Sequence, residues 1–155
     1  MNYKRLIISL LIPQLAGIIG SIFTVSSIRE WYSLLEKPSF NPPNWIFGPA
    51  WTILYLLMGI SIYLVWQRVK ENKNNKKVMF IFWIHLFLNT IWSIIFFGFQ
   101  NVGLAFINIV VIWFFIVLLM ILFWKIDRRA TYLLIPYLLW VSFASILNLS
   151  ILLLN

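Results

Sequence analysis

The sequence predicts an all-α membrane protein, a bundle of five transmembrane helices forming a single domain over residues 1–155. Of its residues, 63% are hydrophobic and only 10% are charged, whereas soluble domains average about 25% charged residues. Five apolar segments contain no Asp, Glu, Lys or Arg, and each is long enough, at about 20 residues or more, to cross a bilayer. The lipid bilayer is therefore the expected surroundings of the chain.

The predicted spans are 6–26, 46–66, 78–99, 103–124 and 131–154. The first span follows Lys4 and Arg5 in the manner of a signal peptide. It lacks a small-residue cleavage motif, so we expect a retained helix. The connections at 100–102 and 125–130 are so short that the helices they join should be antiparallel neighbours, packed side by side.

Residues 27–45 and the start of the second span combine prolines with aromatic residues. Pro38, Pro42 and Pro43 remove backbone donors and favour extended conformations in the residues before them. Pro49 can be accommodated in the first turn of the second helix. A connection this apolar is not expected to extend freely into water. We predict that it folds back as a semi-rigid lid over the bundle.

The distribution of basic residues predicts the orientation of the chain. Ten Lys and Arg residues belong to the N-terminus, the 67–77 loop and the 125–130 loop, which share one side of the predicted topology. Arg29 and Lys37 are the two on the other side. This places the N-terminus in the cytoplasm and the C-terminus and lid outside the cell membrane. Because topology explains the net charge of +8, no nucleic-acid partner is expected.

Residue content excludes several kinds of site. The chain has no Cys and one His, which excludes disulfides, thiolate ligands and multi-histidine metal sites within one chain. No carboxylate lies in any span, so neither a catalytic carboxylate pair nor a metal site is predicted in the membrane. The single histidine, His85, is open to two interpretations: a neutral hydrogen-bonded imidazole, or an axial ligand to a haem iron.

Polar and aromatic residues recur on one face of several spans and predict an enclosed aromatic chamber with a few hydrogen-bonding groups. Three faces are expected to converge on a ligand: His85, Asn89 and Trp92 in the third span, Tyr137, Trp140, Ala144 and Asn148 in the fifth, and Trp51 and Tyr55 in the second. The polar residues of the first and fourth spans, Gln14 and Asn108, are interpreted as hydrogen-bonded links between helices.

The chain contains nine tryptophans, and their depth separates their expected roles. Trp66 and Trp124 lie at span ends and are typical of interfacial aromatic belts. Trp51 and Trp140 lie deeper, and their flat faces suit stacking against a planar aromatic ligand. For Trp92, stacking on a ligand and packing in the core are both open.

The segment from Trp31 to Tyr55 carries a recognisable spaced pattern. It contains W-Y-x-x-L-x-K-P-x-aromatic-x-P-P, then F-G-P-x-W, then L-Y. This pattern strongly resembles the tryptophan-rich sensory protein and translocator protein family (TspO), in its bacterial form. The third span continues the resemblance with L-x-L-N-x-x-W-x-x-I-F-F-G, and the fifth with P-Y-L-x-W-x-x-F-A-x-x-L-N.

The resemblance implies five transmembrane helices, commonly a homodimer, and a pocket beneath the first extramembrane loop. The ligands it implies are porphyrins such as protoporphyrin IX, synthetic isoquinoline- or benzodiazepine-type compounds and, in animal members, cholesterol. The pocket positions it implies are Tyr32, Pro42, Trp51, Asn89, Trp140 and Ala144. Two departures stand out. His85 replaces a common Gln, and Leu149 and Leu153 stand where the cholesterol pattern has Tyr and Arg, so cholesterol is not the expected ligand.

The predicted function is tetrapyrrole binding, with protoporphyrin IX as ligand or substrate and no other cofactor required. The resemblance also implies light-dependent oxidative degradation of the bound porphyrin in some bacterial members. Trp51 and Trp140 would then be catalytic, as electron donors to the excited ring. Two alternatives are a porphyrin transporter and a stress sensor that acts through a partner protein. A new absorbing product on illumination, ligand flux in sealed vesicles, or a co-purifying partner would distinguish the three.

The charge asymmetry predicts that the 67–77 loop is cytoplasmic. In this cysteine-free chain, Asn74→Cys should therefore resist a membrane-impermeant thiol reagent in intact cells and react after lysis. Ready labelling of intact cells would contradict the predicted orientation.

Overall fold

The computed structural model describes residues 3–68 and 75–155, and in these residues the chain forms α-helices without a β-strand. The helices are α1 (Tyr3–Ser27), α2 (Trp31–Leu34), α3 (Phe47–Arg68), α4 (Asn75–Ser93), α5 (Val102–Trp124) and α6 (Arg128–Leu154). A 3₁₀ turn, Asn44–Ile46, leads into α3, and a π-helical turn, Ile94–Gly98, extends α4. All except the short α2 are long and apolar enough to span a membrane, which confirms the predicted five-helix bundle.

The helix boundaries agree with the predicted spans to within a few residues, and capping side chains explain two of the differences. Asn101 accepts a hydrogen bond from the Leu104 amide at 2.8 Å and begins α5. Asp127 accepts one from the Arg129 amide at 3.0 Å, which starts α6 ahead of the predicted position. The predicted cytoplasmic loop, with Asn74, falls largely on residues 69–74, which lie outside the described residues.

The five long helices form a closed ring. α1 packs against α3 and α4, α3 packs against α6, and α5 packs against both α4 and α6. The predicted pairing of helices across the two short connections is therefore confirmed. The ring order α1–α3–α6–α5–α4 encloses a central space that side chains from all five helices reach.

The lid consists of α2 and the residues between it and α3, and it packs on one end of the ring, called here the lid end. α2 is a helical turn that the proline pattern did not predict. It buries Tyr32 against Phe96 and Phe97, with ring centroids 6.1 and 5.7 Å away. The Asn155 side chain accepts a hydrogen bond from the Glu36 amide and donates one to the Glu36 carbonyl, each at 3.0 Å. The lid is thus fixed to the bundle, as predicted.

The half of the ring away from the lid is filled by apolar side chains. Its fully buried members come from α3, α4, α5 and α6: Met58, Ile62, Val65, Phe82, Ile116, Leu119, Phe123 and Leu134. The Ser61 hydroxyl adds a polar link, since it donates to the Ala130 carbonyl at 2.7 Å and joins α3 to α6. This half is therefore closed, and the open volume lies in the lid half.

α1 and α3 come close together at Gly59, where the neighbouring atoms belong to backbone. A Cβ at this position would lie 2.7 Å from the Ser9 carbonyl oxygen and 3.0 Å from Leu10 Cα, and both are backbone atoms of α1. Because backbone cannot move aside as a side chain can, we expect Gly59→Ala to force the helices apart. Overpacking of this kind costs about 1–3 kcal/mol.

Thermal unfolding in detergent micelles measures this prediction, with a lower Tm expected for Gly59→Ala. Gly103→Ala is the matched control, because a Cβ there would meet its nearest neighbour at an ordinary 3.7 Å. Equal Tm values for the two variants would contradict the close approach of α1 and α3.

Candidate ligand-binding cavity

A cavity of about 380 Å³ lies beneath the lid. It receives residues from all five long helices and from the lid. Its aromatic lining consists of Tyr32, Phe47, Trp51, Tyr55, Trp92, Phe96, Phe97 and Trp140. Exposed lining residues on the long helices, including Ile18, Ser21, Gly48 and Thr52, lie on α1 and at the start of α3. The exposed part of the lining therefore lies mainly on α1 and at the start of α3.

The inner wall of the cavity is held by a hydrogen-bonded network of four buried side chains. Tyr55 of α3 donates to Asn89 Oδ1 of α4, and Asn89 Nδ2 donates to the Tyr137 hydroxyl of α6 at 2.7 Å. That hydroxyl also lies 2.9 Å from His85 Nε2. The network joins α3, α4 and α6 at one level of the bundle. Two of its members, Tyr55 and Asn89, line the cavity, whereas Tyr137 and His85 lie behind them.

The aromatic wall is ordered by ring contacts. Trp51 stacks on Tyr55, with centroids 5.5 Å apart and planes at 30°, and meets Tyr137 edge-on at 6.2 Å. Trp140 meets Phe47 edge-on at 6.1 Å. These contacts restrict the orientation of each indole. Trp51 and Trp140 thus enter the cavity as oriented flat surfaces on two different helices.

Trp92 is fixed by its own neighbours. Its ring stacks on Phe96 at 5.0 Å, and its Nε1 donates to Asn148 Oδ1 at 3.2 Å. Asn148 Nδ2 in turn donates to the Val102 carbonyl at 3.0 Å, which ties α6 to the start of α5. Trp92 both lines the cavity and packs in the core, so the two interpretations of this residue are compatible.

The lid contributes a polar and positively charged margin. The Tyr32 hydroxyl donates to Asn41 Oδ1 at 2.9 Å, and its ring lines the cavity. Burial raises the pKa of Tyr32 to about 12, so the phenol stays protonated as a hydrogen-bond donor at neutral pH. Lys37 Nζ lies 4.9 Å from the centre of the same ring. The cavity thus has an uncharged interior and a cation beside its lid.

The structure brings most of the predicted site residues together. Those that line the cavity are Tyr32, Trp51, Tyr55, Asn89, Trp92, Trp140 and Ala144, with Asn148 beside them. Pro42 lies in the lid without reaching the lining. His85 is fully buried behind the wall, with Nε2 bonded to Tyr137 and Nδ1 unpartnered among the described residues. This geometry favours the interpretation of His85 as a buried hydrogen-bonded imidazole over an axial ligand facing the cavity.

The sequence pattern did not predict that α1 and the residues around the start of α3 line the cavity. Ile18, Ser21, Phe47 and Asn44 line the cavity, yet apolar and small residues facing lipid look the same in sequence as those facing a cavity. Gln14 was a detectable signal. It donates to the Thr52 carbonyl at 3.0 Å, which confirms its role as a link between helices, and it lines the cavity as well.

The prediction that Asn108 links two helices by hydrogen bonds is wrong for its side-chain oxygen. Asn108 Oδ1 is buried and has no hydrogen-bond partner within the described part of the chain. Among the described residues, no group of three His, Cys, Asp or Glu side chains comes together.

These features define a class of protein: a multi-pass membrane bundle of five helices with an aromatic cavity under an extramembrane lid. The model of the TspO/MBR family matches residues 9–154, and the chain belongs to this family. It is 43% identical to the tryptophan-rich protein TspO of Archaeoglobus fulgidus, covering 100% of this chain and 99% of that protein. It is 46% identical to the tryptophan-rich protein TspO of Chlorobaculum tepidum, over 90% of this chain and 88% of that protein. It is 34% identical to the human translocator protein, over 89% of this chain and 82% of that protein.

Asn89→Leu tests the network that joins α3, α4 and α6. The change leaves the Tyr55 hydroxyl without its acceptor and removes the amide donor to Tyr137, while keeping the side-chain size. An orphaned buried polar group costs about 1–3 kcal/mol, so we expect a clear loss of thermal stability in detergent. Asn108→Leu is the matched control, since its oxygen has no bond to lose. A larger loss in the control would contradict the assigned role of Asn89.

Proposed function

We propose that this protein binds a planar tetrapyrrole, with protoporphyrin IX as the representative ligand, in the cavity beneath the lid. The observation that carries the proposal is the pair of oriented indoles, Trp51 and Trp140, in the wall of one apolar cavity. Broad flat faces favour an extended aromatic ring. The volume of about 380 Å³ falls within the range of roughly 300–1,000 Å³ typical of small-molecule sites.

Charge distribution favours one orientation of such a ligand. The cavity lining contains amides, hydroxyls and aromatic rings but no Asp, Glu, Lys or Arg among the described residues. Porphyrin carboxylates would be costly in that interior. Lys37 beside the Tyr32 ring and the exposed Arg29 are the basic residues at the lid end. The carboxylates would therefore lie at the lid, with the macrocycle inside and Asn89 at its inner edge.

This orientation predicts a charge-dependent effect of Lys37→Gln. An exposed ion pair contributes about 1 kcal/mol or less, so affinity for protoporphyrin IX should fall by up to roughly fivefold. Affinity for the uncharged dimethyl ester should not change. Quenching of tryptophan fluorescence in the dark measures both, with Lys125→Gln at the other end of the bundle as control. Equal losses for acid and ester would mean that Lys37 acts by holding the lid rather than by binding carboxylates.

We further propose that light drives oxidative breakdown of the bound porphyrin with dissolved dioxygen as the oxidant. Trp51 or Trp140 gives one electron to the excited ring, and the ring radical anion passes that electron to dioxygen, whose reduced products oxidise the macrocycle. An indole is much easier to oxidise than a phenyl ring. Trp51 is in contact with the cavity on one side and with two tyrosines behind it, and Trp140 lies against Phe47 and Phe143. Trp51 and Trp140 are therefore among the oxidisable side chains that a ligand in the cavity would touch directly.

Trp51→Phe separates the binding role from the electron-donating role. A phenyl face remains for stacking, which is worth about 1–3 kcal/mol for nucleobases, so dark affinity should fall only modestly. Illuminated breakdown, followed as loss of the porphyrin absorption band, should slow sharply. Trp140→Phe should behave alike, and Trp66→Phe, beside Arg5 and away from the cavity, is the control. Equal losses of affinity and breakdown in each variant would restrict these residues to binding, and no loss in either would remove them from the site.

Transport and sensing are the alternative functions, in keeping with relatives named translocator protein and tryptophan-rich sensory protein. The exposed lining residues on α1 and at the start of α3 favour exchange of ligand with the membrane. Passage across the bilayer would require rearrangement, because the half away from the lid is packed with apolar side chains. Flux of porphyrin in sealed vesicles tests transport, and a co-purifying partner tests sensing. Isoquinoline- and benzodiazepine-type ligands are proposed to compete for the same cavity, and a homodimer is the proposed assembly.

A further inference from the structure

The hydrogen bonds behind the cavity have a direction. Tyr55 donates to Asn89 Oδ1, which orients the amide so that Nδ2 donates to the Tyr137 oxygen. Among the described residues, the acceptor then left within hydrogen-bonding distance of the Tyr137 hydroxyl hydrogen is His85 Nε2, at 2.9 Å. The network thus assigns Nε2 as an acceptor and places the imidazole hydrogen on Nδ1.

The other tautomer would leave more groups without partners. With its hydrogen on Nε2, His85 would donate to Tyr137, and the Tyr137 hydroxyl hydrogen would have no acceptor among the described groups around it. The bare Nδ1 lone pair would also be buried without a donor. Each such loss is unfavourable in a buried site. Tyr137 is therefore a phenol whose proton points at the lone pair of a neutral base.

Tyr137 is also in contact with the wall of the cavity. Its ring meets Trp51 edge-on at a centroid distance of 6.2 Å, and it is as fully buried as His85, with 1% of its surface exposed. Trp51 lines the cavity, whereas Tyr137 and His85 do not. The three side chains therefore form a path that leads away from the ligand: an indole, a phenol and a base.

We propose that Tyr137 and His85 form a proton-coupled redox relay behind Trp51. This rests on the proposed function, because the oxidant is the photoexcited tetrapyrrole. The excited macrocycle takes one electron from Trp51, which gives a macrocycle radical anion and a Trp51 radical cation. Tyr137 then gives one electron to Trp51, and its phenolic proton passes to His85 Nε2. Trp51 is restored, Tyr137 becomes a neutral radical, and the His85 imidazolium balances the charge of the macrocycle anion.

The surroundings of His85 make this relay reversible. α3, α4 and α6 carry no Asp or Glu, and His85 Nδ1 has no hydrogen-bond partner among the described residues, so no carboxylate of these helices and no hydrogen bond at Nδ1 holds the proton on His85. When the macrocycle anion returns its electron to Tyr137, the proton returns from His85 to the phenolate oxygen. The relay thereby moves oxidising charge off the indole that lines the cavity and protects Trp51 from irreversible damage.

Two substitutions isolate the proton step. His85→Gln can still accept the Tyr137 hydrogen bond through its amide oxygen, but an amide cannot take up the proton. Tyr137→Phe removes the electron donor itself. Tyr63→Phe is the matched control. Tyr63, on α3, is also a buried tyrosine, and its hydroxyl has no hydrogen-bond partner in the described structure.

The experiment uses the purified full-length protein with bound protoporphyrin IX, excited by a laser flash and followed by transient absorption and electron paramagnetic resonance. Wild type and Tyr63→Phe should show a neutral tyrosyl radical, formed more slowly in D₂O. Tyr137→Phe and His85→Gln should lose that signal, and a tryptophan radical should persist in its place. Irreversible loss of tryptophan fluorescence per flash should increase in both.

The possible failures are distinguishable. Absence of porphyrin binding in the dark would overturn the proposed function and the relay together. Binding and photochemical breakdown with an unchanged radical signal in His85→Gln would overturn the relay alone. Should that variant fail to fold, wild type decides the matter, because a tyrosyl radical formed at the same rate in H₂O and D₂O would contradict coupled proton transfer.

Discussion

A buried polar side chain in a membrane bundle has to find its partners inside the protein, because neither water nor lipid can supply them. Tyr55, Asn89, Tyr137 and His85 satisfy this constraint by bonding to one another across α3, α4 and α6. Apolar contacts alone would allow these helices to slide or rotate in lipid at little cost, since lipid tails are as apolar as leucine. The hydrogen bonds fix which faces of the three helices point inward. The position of Trp51 follows, because it stacks on Tyr55 and abuts Tyr137.

The half of the bundle beneath the lid and the half away from it differ in how they are packed. Away from the lid, close helix contact at Gly59 and a full apolar core exclude ligand. At the lid end, aromatic side chains line a central space without filling it. The lid is attached through Tyr32 and through the bonds between Asn155 and Glu36, so it can act as a fixed cover. The exposed lining residues on α1 and at the start of α3 are then the part of the cavity wall that faces outward.

Sequence periodicity predicted the parts of this arrangement that depend on polar or aromatic residues. The spacing of His85, Asn89 and Trp92 predicted one shared helix face, and in the structure Asn89 and Trp92 line the cavity. The prolines and aromatic residues of 27–45 predicted a lid, and this segment bonds to the bundle through Glu36 and Asn155. Sequence periodicity gave no information where the same residue type is suited both to contact with lipid and to contact with protein. An isoleucine such as Ile18 is equally suited to facing acyl chains and to lining a cavity, so the contribution of α1 was invisible. Spacing along the sequence also could not show whether a residue lines the cavity or lies behind the residues that do, because that depends on how the helices pack together. Asn89 lines the cavity, while His85, one turn away, lies behind Tyr137.

The account depends most on the claim that the tetrapyrrole occupies this particular cavity. Ala144 is a nearly buried residue of its wall, and the chain has no cysteine, so Ala144→Cys introduces a small, unique thiol there. The rate at which a small membrane-permeant maleimide labels this thiol, with and without protoporphyrin IX, measures occupancy directly. Leu34→Cys on the exposed face of the lid helix serves as the reference site. The account predicts that bound porphyrin slows labelling at position 144 and leaves the rate at position 34 unchanged. Equal labelling of the cavity thiol with and without saturating porphyrin would contradict it.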